Sequence, residues 1–208
     1  MKITVFIIII LFSFQMADNK FFNITNILPP ENFEIIKNFI LVNGQKMTYC
    51  QMYNNIFYNM AVGINNYSGN SAARNSYYNN TVYHCGIGID NSNAYGMYKN
   101  NICIGNTTNW GNVTSASGGN NAGESGNTMP GSGNVITTAY ATFIDTNNAT
   151  LNLHLSAGGN CINAGDSTGL RSIFVKDVDD TIRIAQYDIG ADEWIHPKTW
   201  IGGEADNN

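Results

Sequence analysis

The sequence predicts an all-β chain whose short strands stack as a solenoid, and three observations carry that prediction. Asn (33) and Gly (21) together supply 54 of the 208 residues, and both types favour tight turns and left-handed backbone. Strand-sized apolar segments lie between those turns. Residues 50–110 repeat with a period in the low twenties, the length of one turn of a β-solenoid. The same composition argues against a helical bundle, and the plentiful Ile, Tyr and Phe argue against disorder.

Charge narrows the function classes. Only 12% of residues are charged, the net charge is −5, and there are 7 Lys and 3 Arg. No large basic patch can be built from these, so nucleic-acid and anionic-membrane binding are not expected. Cys50, Cys85, Cys103 and Cys161 show no CxxC spacing, which speaks against a zinc site built on cysteine and leaves any pairing open.

Taken from the N-terminus, Lys2 is followed by an apolar run from Ile3 to Phe14, with Ala17 beyond it. This run is of signal-peptide length and too short to span a bilayer comfortably, so residues 1–17 read as a signal peptide, although Gln15 breaks the small-residue pattern. The alternative is a buried strand in a chain that starts further upstream. Residues 18–49 then read as an incomplete leading coil.

Two full repeat units follow. Tyr53-Asn54-Asn55-Ile56-Phe57-Tyr58-Asn59 leads to Val62-Gly63-Ile64, and Tyr78-Asn79-Asn80-Thr81-Val82-Tyr83-His84 leads to Ile87-Gly88-Ile89. A third unit opens at Asn100-Asn101-Ile102-Cys103 and loses the apolar-Gly-apolar triplet. The second Asn of each pair is spaced by 25 (55 to 80) and then 21 (80 to 101) residues. If Asn55, Asn80 and Asn101 point inward, strand alternation turns Phe57, Val82 and Cys103 inward too, and Ile56, Thr81 and Ile102 outward. Gly63 and Gly88 are expected to face out between inward apolar neighbours. Stacked amides about 4.8 Å apart can hydrogen-bond along the axis, which predicts an Asn ladder. Six N-x-[ST] sequons, at Asn23, Asn66, Asn79, Asn106, Asn112 and Asn148, are what chance supplies in a chain so rich in Asn.

Residues 107–134 are Gly, Asn, Ser and Thr with almost no apolar content, and they read as an excursion from the coils of 18–134. Residues 135–195 read as a last coil and a cap, which a solenoid needs to cover its end. Residues 196–208 are a polar tail.

The Asn-Asn units resemble the repeats of right-handed parallel β-helix proteins. Downstream, Phe143-Ile144-Asp145, Leu151 to Leu155, Asn160-Cys161-Ile162-Asn163-Ala164-Gly165, Asp177-Val178-Asp179, Arg183 and Asp188-Ile189-Gly190-Ala191-Asp192-Glu193 occur in order. That series is similar to the C-terminal segment of secreted β-helix proteins of the choice-of-anchor Q type, with Asn163 and Asp180 as departures. The resemblance covers about residues 50–195. It implies a short right-handed parallel β-helix with a C-terminal cap, an extracellular or cell-surface location, and a turn closed by Asp and Arg. Asp177, Asp179, Arg183 and Asp188 are assigned to that cap, with Asp188 pairing Arg183 or Arg171.

Chemistry is sparse in the repeats. Glycoside hydrolysis needs two carboxylates across the scissile bond, and residues 50–110 contain only Asp90. A uronate lyase needs basic groups, and that stretch offers Arg74, Lys99 and a lone His84. No catalytic residue is therefore assigned. No cofactor is expected. Calcium is the one ion that Asp177, Asp179 and Asp180 would suit, as half of a calcium loop. Tyr58, Tyr83, Asp90 and Trp110 are the candidate binding residues. Repeated outward tyrosines can stack on sugar rings, or simply on each other. The function expected is a secreted or surface-associated, non-catalytic protein that contacts a polysaccharide or cell-surface glycan through an elongated strand face. A polysaccharide lyase or glycoside hydrolase with its site on missing coils is the rival, and a structural surface or spike component is the third reading.

Overall fold

The structure is a computed structural model that describes residues 51–66, 75–92 and 95–195. The signal-peptide run, the leading coil of 18–49, the tail and Cys50 lie outside the described residues. The described residues are all-β, with three parallel sheets, one antiparallel pair and two short helical turns, one of them a 3-10 turn at Val113–Ser115.

Three strands recur per repeat unit. The first unit holds β1 (Gln51–Tyr53), β2 (Ile56–Tyr58) and β3 (Val62–Asn65); the second holds β4 (Ser76–Tyr78), β5 (Thr81–Tyr83) and β6 (Ile87–Asp90); the third holds β7 (Met97–Lys99), β8 (Ile102–Ile104) and β9 (Thr108–Gly111). Each joins its counterpart in the next unit by parallel pairing in register, as in Phe57↔Val82↔Cys103. A fourth unit continues the stack with β10 (Ser117–Gly119) and β11 (Ala122–Gly123), and β12 (Val135–Ile136) pairs β11. The sheets therefore run β1-β4-β7-β10, β2-β5-β8-β11-β12 and β3-β6-β9. Residues 107–134 do not leave the stack as expected. Asn120-Asn121 is a fourth Asn pair, and Gly and Ala occupy the strand positions that carry large apolar residues in the earlier units.

The inner core holds Ile64, Tyr77, Val82, Ile89, Tyr98, Cys103, Trp110 and Val113, with Phe57 packed against it. Tyr77 and Tyr98 stack at 4.8 Å between ring centres. Gly63 and Gly88 face this core, not the solvent: a Cβ on Gly63 would strike the Val82 side chain, and one on Gly88 would strike Cys103. Ile64 and Ile89 are buried as well, so two successive residues turn inward. The strand bends at this point, and alternation fails there.

The other correction concerns the outward residues. Ile102 and Thr81 are buried. Residues 139–194 lie along the flank of the stack and cover them: α1 (Ala139–Thr142), then the antiparallel pair β13 (Phe143–Asp145) and β14 (Asn152–Leu155), then the closing loops. Phe143, Leu153, Leu155, Cys161 and Ile189 join Ile102, Ile104 and Ala122 in a second core, with Ile56, Tyr58 and Tyr83 packed against it. A third cluster seats Leu170, Phe174 and Tyr187 on Tyr78, with Tyr53 and Met97 packed against it. The segment expected to close an end is a lateral cover, and the β2-β5-β8 sheet is consequently apolar on both faces, as parallel sheets usually are.

Each Asn pair divides the labour between these layers. The second Asn points in. Asn55 Nδ2 donates to Asn80 Oδ1 (3.1 Å), Asn80 Nδ2 to Asn101 Oδ1 (3.0 Å), and Asn101 Nδ2 to Asn121 Oδ1 (3.1 Å). The first Asn is left-handed, at φ 57 (Asn54), 49 (Asn79), 58 (Asn100) and 50 (Asn120), a region that Asn tolerates better than most residues. It points out and donates to the cover: Asn54 to Lys176 O, Asn79 to Asp188 O, Asn100 to Asp166 O and Asn120 to Ala164 O.

Candidate functional site

Cover and stack meet at Arg183. Its guanidinium is buried, and burial alone lowers its pKa. It is held by Glu193 (Nη1 to Oε2, 3.0 Å), by Asn54 Oδ1 (2.9 Å), and by the carbonyls of Gly190 and Ala191. The ion partner is thus Glu193, not the expected Asp188. Arg171 instead donates to Ile184 O and lies over the Tyr187 ring. Asp188 accepts the N–H groups of Asn163 and Trp194, yet burial pushes its pKa up to about 7. Asp177 accepts from Asp179 N and Thr181 N on one oxygen and from Glu193 N on the other. Asp180 turns away to Lys176 (3.5 Å), so the three aspartates do not converge as a calcium loop would require. Asp179 lies next to different partners: ligand-type atoms of His154, Asp179 and Asp192 fall within 4.8 Å of one another.

The expected binding residues are not brought together. Tyr58 and Tyr83 occupy equivalent positions on β2 and β5, but both are half-buried, and Phe143 of the cover meets the Tyr83 ring edge-on at 5.6 Å. Trp110 is buried, with its ring edge-on to Tyr98. Neither arrangement leaves a tyrosine ladder or an indole face open to a sugar. His84 sits in an exposed left-handed turn beside Tyr83.

Asp90 is different, because the β3-β6-β9 sheet keeps its outer side. Asn65 and Thr108 are exposed there, and Val62, Ile87 and Asp90 half-buried. Asp90 Oδ1 accepts from Asn112 Nδ2 (2.7 Å) and Oδ2 from Ser92 Oγ (2.6 Å). The left-handed backbone of Asn112 (φ 53) turns its amide back to the carboxylate. Beside this array is a polar cleft of about 400 Å³ lined by Asn91, Ser92, Asn112, Thr114 and Ser115. Among the described residues, Asp90 is the one carboxylate on this face. Amide, hydroxyl and a single fixed carboxylate can orient hydroxyl groups.

The signal for this site was present in the sequence as Asp90 at the position of Asn65. Ser92 meets Asp90 locally, two residues on, whereas the partner Asn112 was not legible, since it depends on the third unit stacking under the second. No protein-family model matches the chain, and no curated protein is significantly similar to it. Among the described residues, no helix is long and apolar enough to cross a membrane.

Proposed function

We propose that the three parallel sheets wrap as a short right-handed β-helix, and that the chain is a secreted or surface-associated, non-catalytic protein that contacts carbohydrate through the open β3-β6-β9 face. The observation that carries this reading is the Asp90–Ser92–Asn112 array beside the polar cleft, on the sheet whose outer side the C-terminal segment leaves uncovered. Sugar hydroxyls both donate and accept, and they match a lining of amides and hydroxyls with one fixed acceptor beside it. A carboxylate already ordered by two donors loses little freedom when a hydroxyl joins it. The lone carboxylate favours binding over hydrolysis, because both glycosidase geometries need a pair.

The test is a glycan array followed by titration of the neutral oligosaccharides that bind, with chromatography to detect cleavage products. Binding without product release is expected, and Asp90→Ala should weaken it about tenfold or more, the loss of a hydrogen bond to a charged group. Retention of full affinity by Asp90→Ala and Asn112→Ala would remove the cleft from consideration. Release of shortened oligosaccharides would replace the binding reading with an enzymatic one.

A further inference from the structure

A second site is built into the cover, away from the Asp90 face and independent of the carbohydrate reading. Asn152 Oδ1 accepts from the backbone N–H of His154 (3.1 Å), which fixes the amide's orientation, and the same oxygen lies 2.6 Å from His154 Nδ1. Nδ1 must therefore carry a hydrogen. In a neutral imidazole the lone pair is then on Nε2. That atom faces Asp179 Oδ2 at 2.7 Å. Two lone pairs cannot sit at that distance without a positive centre between or beside them: a proton on Nε2, or a metal ion.

The third member decides between them. Asp192 is 7% exposed. One of its oxygens accepts from Leu155 N (2.8 Å), and its ligand-type atom lies within 4.8 Å of those of His154 and Asp179. An imidazolium would set one positive charge against two carboxylates. A divalent cation with neutral imidazole cancels both.

We propose that His154, Asp179 and Asp192 form a divalent transition-metal site of the zinc type that ties β14 and the 177–181 turn to the closing segment. One imidazole and two carboxylates are a ligand set that zinc accepts, with a fourth position left for water, whereas calcium needs six to eight oxygens. Tetrahedral zinc places its ligand atoms roughly 3.4 Å apart, given bonds of about 2.0–2.2 Å. The His154–Asp179 pair would open to reach that spacing and Asp192 would draw in. The side chains of His154 and Asp179 are 44% and 51% exposed, free to turn, while buried Asp192 fixes where the ion sits. The Asn152 contact on Nδ1 is the outer-shell hydrogen bond that holds a metal-ligating histidine in orientation and tautomer.

The test uses the full chain after removal of metal by chelator. Calorimetric titration with zinc chloride should give one site, and zinc at about 100 times the dissociation constant should raise Tm by roughly 5–10 °C. His154→Ala, an exposed-side substitution that circular dichroism should show to be folded, should abolish that site. Asn152→Ala should weaken it about 10- to 100-fold. In the cobalt-loaded protein, the visible absorption of a low-symmetry site should disappear with His154→Ala. An equal Tm rise with calcium, an unchanged zinc isotherm in folded His154→Ala, or no zinc binding by the parent chain would each overturn the proposal. The last would leave His154 and Asp179 as a simple ion pair.

Discussion

Asn101 stands at the middle of the inward amide ladder, and replacing it with Ala tests how much that ladder holds. Its Nδ2 donates to Tyr77 O (2.8 Å) and Asn121 Oδ1 (3.1 Å), and its Oδ1 accepts from both the backbone N–H and the Nδ2 of Asn80 (3.0 Å each). The residue is fully buried, so water cannot replace these partners. Alanine removes the whole set. Asn80 Nδ2 still reaches Met52 O, but the Asn80 backbone N–H is left without its acceptor. One stranded buried donor costs about 1–3 kcal/mol, and each of the three further bonds contributes about 1 kcal/mol net, giving roughly 4–6 kcal/mol in all. A domain is typically stable by about 5–15 kcal/mol, so this is a large share. The comparison is Asn55→Ala at the first described unit. Asn55 is half-buried and donates to Tyr53 O and Asn80 Oδ1, and its loss should cost about 1 kcal/mol. Urea unfolding followed by far-ultraviolet circular dichroism reads both, and the slope should stay constant if the native fold is kept. Equal midpoints for the two variants, or an Asn101→Ala loss below about 1 kcal/mol, would show that the ladder is decoration and not support.

Three further outcomes follow from the same coordinates. Arg183→Met should destabilise by about 3–5 kcal/mol, because Glu193 is left as an uncompensated buried charge; recovery in Arg183→Met/Glu193→Leu, measured by denaturant midpoints, would locate the cost in the stranded carboxylate. Asp188 has a folded pKa raised to about 7 by burial, so its contribution is complete below the unfolded value near 4 and is lost as pH rises through 7. Relative to Asp188→Asn, the parent chain should therefore lose stability between pH 4 and 7, and parallel pH profiles would contradict that. Gly118 sits at φ +127, where a Cβ would collide with the Tyr98 backbone; Gly118→Ala should prevent β10 from pairing β7, seen as lost protection of the Asn100 and Ser117 amides, which donate to Gly119 O and Gly96 O.

Much of the stack was legible because the sequence repeats. The spacing of 25 and 21 residues between paired asparagines is the register in which Asn55, Asn80 and Asn101 bond to one another. The fourth unit was hidden because Gly118, Gly119, Ala122 and Gly123 carry no apolar signal, though Asn120-Asn121 marks it. The Gly63 and Gly88 assignments failed because alternation assumes a straight strand. The resemblance marked Arg183 and the closing hexapeptide but not their partners: Arg183 finds Glu193 because the loop folds back on itself, and Asn54 reaches it from 129 residues away.

Local spacing alone determines that these strands form and which of them stack, because in-register pairing repeats one interaction at a fixed interval. Only the folded chain decides which outer face is used up. Residues 139–194 bury Ile102 and pack against Tyr83, leave Asp90 open, and gather His154, Asp179 and Asp192 from three separate segments. Contacts between remote segments depend on how a flank is shaped as a whole, and no interval along the sequence encodes that shape.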